Sequence, residues 1–215
     1  MNNILKTLRL VEKQVKKFRV PSVTQVSRSK DPYQVLISCI LSLRTKDKTT
    51  IEASNRLFKV ADNPYDMVKL TPRRLERLIY PVCFYRNKAR VILEVSRNII
   101  EDFAGRVPNT PEELLKFKGV GRKTANLVLG LGYNIPAICV DTHVHRISNR
   151  LGWVKTKTPE VTEEALKKII PKRRWIDLNN FLVAFGQNIC VPISPFCSKC
   201  DCFKLCKRRG VSRFR

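Results

Sequence analysis

The sequence predicts an all-α protein, with roughly ten or eleven helices joined by short connections. Apolar residues recur at the helical period of about 3.6 residues along most of the chain, and no segment alternates strictly between apolar and polar residues as a half-buried strand does. At several predicted helix starts proline follows Asp or Thr, whose side-chain oxygen caps the first amides while proline occupies the first helical position. Only 12 prolines and 8 glycines occur among 215 residues, which leaves little chain for long loops.

The first half of the chain is predicted to hold five helices. Asp31-Pro32 starts a strongly apolar helix, and Thr71-Pro72 starts a later one in the same way. Gly105 follows a long amphipathic segment and suits the left-handed residue that ends a helix. The predicted segments run over about 3–18, 32–43 and 46–59, from 72 onward, and over 86–104.

The second half is predicted to hold five more helices. Thr110, Pro111 and Glu113 form a capping box with proline at the first helical position. Asp141 caps a later helix, which Gly152 closes. The predicted segments run over about 111–117, 122–132, 142–151, 159–170 and 176–189.

The charge of the chain is strongly unbalanced, with 42 Lys+Arg against 18 Asp+Glu and a formal net charge of +24. This balance favours a polyanionic partner, with nucleic acid first and an anionic membrane surface as the weaker alternative. The alternative explanation of the charge is that the basic residues only keep the protein soluble and bind no partner. Hydrophobic residues at 43% argue against a disordered chain.

Targeting signals are not evident in the sequence. No apolar run reaches the ~18 residues of a membrane span, and the first residues lack the apolar core and cleavage site of a secretory signal. We therefore expect a cytoplasmic protein without a membrane partner, associated with the nucleoid if the source is prokaryotic.

The eight cysteines fall into two groups. Cys39, Cys83 and Cys139 are scattered among apolar neighbours, where a free cysteine behaves as a small apolar residue. The other five crowd into residues 190–206, and without a secretory signal a disulfide framework is not expected. Because four thiolates suit zinc and an iron–sulfur cluster alike, the residues predict a metal site without choosing the metal. The five are Cys190, Cys197, Cys200, Cys202 and Cys206.

The turn Lys118-Gly119-Val120-Gly121 joins two predicted helices into a hairpin. The first amides of the second helix have no partner within the helix and carry its positive dipole end, so they form an anion site that suits a DNA phosphate. The glycines permit positive φ and a close backbone approach, and Arg122 adds a positive charge. An ordinary helical hairpin is the alternative.

Lys123 lies in the first turn of that second helix, where a cation opposes the helix macrodipole. If its side chain is buried or partly buried, its pKa falls and more free amine is present at neutral pH, as a Schiff-base nucleophile requires. The alternative is an exposed lysine that contacts a phosphate.

Asp141 opens a helix within the segment CVDTHVHR, where capping is the commonest use of an aspartate. A second role is compatible with capping, because one carboxylate oxygen can cap while the other faces a cleft. His143 and His145 lie two positions apart on different helix faces, so they are poor joint metal ligands. We expect them to be structural or to face phosphate.

The hairpin KGVGRKTAN, its spacing to VDTH, and the pattern C-x6-C-x2-C-x5-C over 190–206 together resemble the endonuclease III family of DNA glycosylases. The resemblance implies the helix-hairpin-helix-GPD fold, in two helical lobes with a C-terminal iron–sulfur cluster loop. One lobe is then a six-helix barrel over 25–135, with the hairpin at about 111–131. The other is an iron–sulfur cluster domain made of 1–24 and 136–215.

The same resemblance implies the roles of the site residues. Lys123 matches the family's nucleophilic lysine, and Asp141 matches its catalytic aspartate. Four cysteines match the ligands of a structural [4Fe–4S] cluster, whereas Cys202 falls outside the pattern. The implied ligands are Cys190, Cys197, Cys200 and Cys206.

The implied function is DNA base-excision repair by a bifunctional glycosylase. It removes damaged, and we expect oxidised, pyrimidines from duplex DNA and cleaves the abasic strand by β-elimination through a lysine Schiff base. The expected partner is double-stranded DNA with a damaged base or abasic site, bound by a monomer. One alternative is a glycosylase specific for thymine or uracil opposite guanine, and another is a non-catalytic iron–sulfur protein that binds DNA.

Three DNA-facing positions depart from the family's usual residues. Lys118 stands where proline is usual before the hairpin glycine and adds charge there. Arg44 stands where a glutamine is often inserted into the duplex, and a guanidinium can still bond an orphaned base. Phe84 stands where leucine is usual in a wedge loop; it can stack between bases or belong to the core.

Overall fold

A computed structural model describes residues 2–18, 21–26 and 31–215. Twelve α-helices and no strand occur in these residues, so the predicted all-α class is confirmed. In chain order they are α1 (Asn2–Val15), α2 (Ser22–Val26), α3 (Pro32–Ser42), α4 (Asp47–Phe58), α5 (Pro64–Val68), α6 (Pro72–Ile79), α7 (Tyr85–Phe103), α8 (Pro111–Leu114), α9 (Arg122–Leu127), α10 (Thr142–Leu151), α11 (Pro159–Ile169) and α12 (Trp175–Asn188).

The predicted caps account for where several helices begin. The side chain of Asp31 accepts hydrogen bonds from the amides of Tyr33 and Gln34 at the start of α3. Thr71 and Thr110 cap α6 and α8 in the same manner. Each cap satisfies backbone donors that the first helical turn leaves open, which fixes the starting residue of the helix.

Four elements differ from the sequence prediction. The helices α2 and α5 have five residues each, too few to show a helical period. The helix predicted over 111–117 ends at Leu114, because tighter turns continue the chain from there. The helix predicted over 122–132 changes to a π-helix at Val128–Gly132. A Cβ on Gly132 would lie 2.8 Å from the Cα of Pro32, so only glycine permits this close approach to α3.

The described chain divides into two compact units. The central unit comprises Ser22–Ile135, and the terminal unit comprises Met1–Pro21 with Pro136–Arg215. In the central unit, α3 is apolar almost all round and packs against α2, α4, α7 and α9. Burying each large side chain of such a helix contributes about 1.5–3 kcal/mol.

The core of the terminal unit is built around α12, which packs against α1 and α10. Leu8 and Val11 from the first helix meet Ile147 and Phe185 there, all of them 0–1% exposed. The side chain of Gln14 joins the ends of this unit: its Nε2 donates to the carbonyl of Lys199 at 2.6 Å, and its Oε1 accepts from the amide of Asp201 at 3.1 Å.

None of the helices in the described residues is long and apolar enough to cross a membrane.

Candidate nucleic-acid interface and cysteine cluster

The hairpin between α8 and α9 presents an open helix start. Gly119 has a φ of +76°, in the left-handed region that favours glycine. Gly121 caps α9 in an extended conformation without any side-chain cap. A Cβ added to Gly121 would meet no described atom within 4 Å, so the space in front of the α9 amides is open within the described structure.

Three cations lie at the two ends of the hairpin turn. Lys118, Arg122 and Lys123 are all exposed. The ammonium of Lys118 lies 3.2 Å from Glu94 Oε2 in a surface ion pair, so part of its charge is compensated locally. Val120, by contrast, is 6% exposed and anchors the turn in the core.

Lys123 occupies the second position of α9, as the sequence predicts, and of the two settings left open by the sequence, buried or exposed, the structure shows the exposed one. Its ammonium acts on the buried thiol of Cys39 on α3. Burial raises the pKa of Cys39 to about 12, and the positive charge of Lys123 opposes that rise. The residue therefore lies at the surface, within electrostatic range of a buried thiol on α3.

Arg44 and Phe84 come together at the mouth of a cavity in the central unit. Both are non-glycine residues with left-handed backbones, with φ of 54° and 57°. The guanidinium carbon of Arg44 lies 5.9 Å from the centroid of the Phe84 ring. Phe84 is 64% exposed, which excludes the core alternative for this side chain. The cavity has a volume of about 430 Å³ and is lined by Ile40, Leu43, Arg44, Phe84, Asn87, Lys88, Val91 and Gly119.

Asp141 caps α10, as predicted. Its Oδ1 accepts from the amides of His143 at 2.9 Å and Val144 at 2.8 Å. Both bonds end on the same oxygen, so Oδ2 takes no part in the cap. The preceding segment is held in place because Asn179 Nδ2 donates to the carbonyl of Cys139 at 3.2 Å.

The two histidines of this helix make separate contacts. His145 Nδ1 lies 2.6 Å from the hydroxyl of Thr162, and His143 Nδ1 lies 3.2 Å from Arg146 Nη2. Different partners hold the two rings, in keeping with the structural role, one of the two roles expected of them.

Four cysteines of the C-terminal segment line one pocket with a cavity volume of about 20 Å³. Arg150 Nη1 donates to Cys190 Sγ at 3.6 Å, and the amide of Arg208 donates to Cys206 Sγ at 3.3 Å. Burial raises the pKa of the Cys190 thiol, whereas the Arg150 contact opposes it. In the described part of the chain, no three His, Cys, Asp or Glu side chains form a group that would hold a metal ion. The four are Cys190, Cys197, Cys200 and Cys206.

The remaining cysteines behave differently from one another. Cys202 is fully buried, and its sulfur lies 3.7 Å from the carbonyl of Thr7. Cys39 and Cys139 are buried as predicted, but Cys83 is exposed, because it lies in the loop that carries Phe84 rather than inside a helix.

Comparison with known families defines the class of protein to which this helical architecture belongs. The family profile of the HhH-GPD superfamily base excision DNA repair proteins matches residues 37–172. The matched span includes the hairpin, Lys123 and Asp141.

Individual relatives narrow the class. Endonuclease III of Thermotoga maritima is 52% identical over 188 residues, covering 86% of this chain and 88% of that protein. A solved structure of a trapped endonuclease III–DNA covalent intermediate, an estranged-adenine complex, has a TM-score of 0.83 at 33% identity, covering 96% of this chain and 95% of that one. A thermostable thymine-DNA glycosylase also has a TM-score of 0.83, at 25% identity and with the same coverage. This chain belongs to the endonuclease III family and is a base-excision-repair DNA glycosylase with AP-lyase activity.

Proposed function

We propose that the enzyme removes oxidised pyrimidines from duplex DNA and cleaves the abasic strand with Lys123 as its Schiff-base nucleophile. The observation that carries this proposal is an exposed lysine amine at the start of α9, directly after the Gly-x-Gly turn, in a member of this family. A related endonuclease III has been trapped as a covalent intermediate with DNA, which supports a covalent route.

The proposed reaction begins with the free amine of Lys123. The amine attacks C1′ of the extruded nucleotide, the bond from C1′ to the base breaks, and the base leaves with the bonding electrons and takes up a proton. Loss of the amine proton and opening of the sugar ring give an imine. Removal of a proton from C2′ then expels the 3′ phosphate, and hydrolysis of the imine releases the enzyme.

Asp141 supplies negative charge in this mechanism. A carboxylate stabilises the cationic character that develops on the sugar as the base departs. It also favours transfer of the proton from the Lys123 amine. Because only Oδ1 caps α10, Oδ2 is available for this work without loss of the helix start.

We further propose that the hairpin holds a DNA phosphate. The backbone amides after Gly119, Val120 and Gly121 would donate to the phosphate oxygens, with Arg122 and Lys118 contributing charge. The open space in front of Gly121 supports this role. The resulting affinity should be strongly salt-dependent.

Arg44 and Phe84 are proposed to occupy the duplex where the damaged nucleotide has left it. The exposed Phe84 ring would stack on a neighbouring base, and the Arg44 guanidinium would bond the orphaned partner base. Their shared position at one cavity mouth supports a joint role.

The cysteine pocket is proposed to hold a [4Fe–4S] cluster, which would order the C-terminal loop of the iron–sulfur domain. The chemistry of the donor set supports this proposal, because four thiols line one pocket and two of them accept N–H hydrogen bonds that favour thiolate. In the described residues these side chains do not themselves form a metal-binding group, so the proposal depends on the residue types and their shared pocket. The division of the chain at Ile135 supports assigning this domain to the terminal unit and the six-helix barrel to the central unit.

A mismatch glycosylase is the second candidate function. Arg44 in place of the usual glutamine keeps it open, and the likeness to a thermostable thymine-DNA glycosylase supports it, whereas the presence of Lys123 argues against it. Its activity on thymine or uracil opposite guanine would not require the amine of Lys123.

One assay separates these functions. Duplexes containing thymine glycol, a G·T or G·U pair, or an abasic site are incubated with the enzyme and then treated with borohydride. We expect excision of thymine glycol and a trapped adduct that Lys123→Ala abolishes. Processing of G·T alone without an adduct supports the mismatch enzyme, and binding without any product supports a non-catalytic protein.

A further inference from the structure

Lys88 is a buried lysine whose side chain is held by three acceptors. It lies on α7 and is 6% exposed. Its ammonium donates to the carbonyls of Leu41 and Leu43, at 2.8 and 2.6 Å, and to the hydroxyl of Thr45 at 3.2 Å. A lysine ammonium has three N–H donors, so this set uses all of them.

Two of the three acceptors belong to the residues next to Arg44 in the chain. Leu43 precedes it and Thr45 follows it, and Arg44 itself has a left-handed backbone that an L residue rarely adopts. Such a conformation persists only where the surrounding contacts fix it. Two bonds from the Lys88 ammonium to the adjacent residues provide such contacts.

The same lysine is tied to the loop that carries Phe84. The amide of Lys88 donates to the carbonyl of Phe84 at 3.0 Å, so the backbone of Lys88 lies one helical turn after Phe84, the residue that precedes α7. The hydroxyl of Thr45 also accepts from the amide of Cys83 at 3.3 Å. The two loops are therefore joined through Lys88 and Thr45.

Burying an ammonium is costly, and the cost limits the explanations of Lys88. Burial lowers the pKa of its amine to about 8, which shows that the site disfavours the charged form. The described contacts of this ammonium are to backbone carbonyls and a hydroxyl, and none is to a carboxylate. An apolar side chain of similar length would fill the space without the cost of removing an ammonium from water. The three hydrogen bonds are therefore what a lysine adds at this position.

We propose that Lys88 is a positioning residue that fixes Arg44 and Phe84 as one unit, so that both fill the duplex as the damaged base leaves. This inference rests on the proposed function, because it assigns those two side chains to the opened duplex. Lys88 acts through them and touches neither the reacting sugar nor the departing base.

The test compares Lys88→Met with Arg97→Met. Methionine keeps the length but removes the donors, and Arg97 is an exposed cation on the same helix. We expect single-turnover excision from a thymine glycol duplex to fall by at least about tenfold in Lys88→Met and to be unchanged in Arg97→Met. Trapping on a single-stranded abasic oligonucleotide, which has no stack to open, should stay within about twofold of wild type.

A double-mutant cycle separates positioning from general damage to the fold. In the Arg44→Ala/Phe84→Ala background, adding Lys88→Met should lower excision by less than about twofold further. Loss of excision by the same factor in both backgrounds overturns the proposal, as does excision at the wild-type rate in Lys88→Met. If Lys88→Met does not fold, Thr45→Val replaces it, because that change removes the hydroxyl shared by the two loops.

A fluorescence measurement keeps this inference distinct from the proposed function. 2-Aminopurine opposite the lesion should brighten when wild-type enzyme opens the duplex, and much less with Lys88→Met. If wild type forms no adduct on any substrate, the proposed function has failed, while the 2-aminopurine signal still tests the link between the loops. An equal signal from both proteins contradicts it.

Discussion

The two oxygens of Asp141 can be assigned to different tasks. Oδ1 alone accepts the cap bonds from the amides of His143 and Val144. In the proposed mechanism the negative charge of the carboxylate, rather than either cap bond, assists the departure of the base. A substitution that keeps an oxygen and removes the charge should therefore separate fold from chemistry.

Asp141→Asn should lower single-turnover excision by about a hundredfold or more, as expected when a charged catalytic group is neutralised. The amide oxygen can still cap α10, so the free energy of unfolding in urea should stay near that of wild type. Asp141→Ala should lose about 1 kcal/mol of stability as well, because the cap is removed. Equal destabilisation by Asn and Ala, with excision intact, would mean that Asp141 only caps the helix.

Lys88 predicts a pH dependence of stability. Burial lowers its pKa from 10.5 to about 8 in the folded protein, with Cys83 acting in the opposite direction. Between these two values the unfolded chain binds a proton that the folded chain does not, so stability should rise with pH in that window. Urea denaturation of wild type and Lys88→Met at pH 7 and pH 10 isolates the effect. Wild type should gain stability relative to the variant, and no gain would contradict the lowered pKa.

Sequence patterns predicted some residues better than others. The capping role of Asp141 was visible because a side chain that caps its own helix is a local feature. Lys88 was missed because its acceptors are mainly carbonyls more than forty positions away, which leave no mark in composition or spacing. The exposure of Lys123 also depends on packing that the helical period does not describe.

At the scale of elements, the two hairpin glycines have different reasons to be glycine. Gly119 has a positive φ, and a Cβ there would lie 3.2 Å from Val91 Cγ1. Gly121 is extended, and a Cβ there would meet nothing within 4 Å among the described residues. The first glycine therefore serves the turn, whereas the second leaves room for a ligand.

Gly119→Ala should cost about 1–2 kcal/mol of stability, because an L residue is strained in the left-handed region. Gly121→Ala should leave the melting temperature nearly unchanged but weaken binding to an abasic-site duplex severalfold, because its methyl group would keep the phosphate from the α9 amides. Thermal melts and fluorescence anisotropy test the pair. Equal binding by wild type and Gly121→Ala would show that no DNA phosphate binds in front of Gly121.

Local chemistry also explains which elements were predictable. Helices that begin with a cap and proline, such as α3 and α6, start where the sequence indicates. The sequence indicated neither the π-helix after α9 nor the close approach of Gly132 to Pro32, a contact between residues a hundred positions apart in the chain. The short helix α5 shows no period of its own, although it too begins with a cap and proline, at Asn63 and Pro64.

At the scale of the whole molecule, the net charge of +24 predicts strong and salt-sensitive DNA binding, but the cations do not all contribute equally. Lys118 is paired with Glu94 at 3.2 Å, so a phosphate must compete with a carboxylate for it. An exposed ion pair is weak, about 0–1 kcal/mol, so the competition reduces the contribution of Lys118 without abolishing it.

The salt dependence of DNA affinity should therefore distinguish the hairpin cations. Each phosphate contact adds about 0.9 to the slope of log K against log salt concentration on duplex DNA. Arg122→Ala should reduce the slope, and Lys118→Ala should reduce it by less than one full phosphate contact, because Glu94 competes for the ammonium. Glu94→Gln should raise affinity at low salt in the wild-type background and have no effect when Lys118 is alanine. Anisotropy titrations between about 50 and 200 mM salt measure all four proteins and the double variant. If Arg122→Ala leaves the slope unchanged, the hairpin is not a phosphate site, and other cations of this basic chain must provide the DNA affinity.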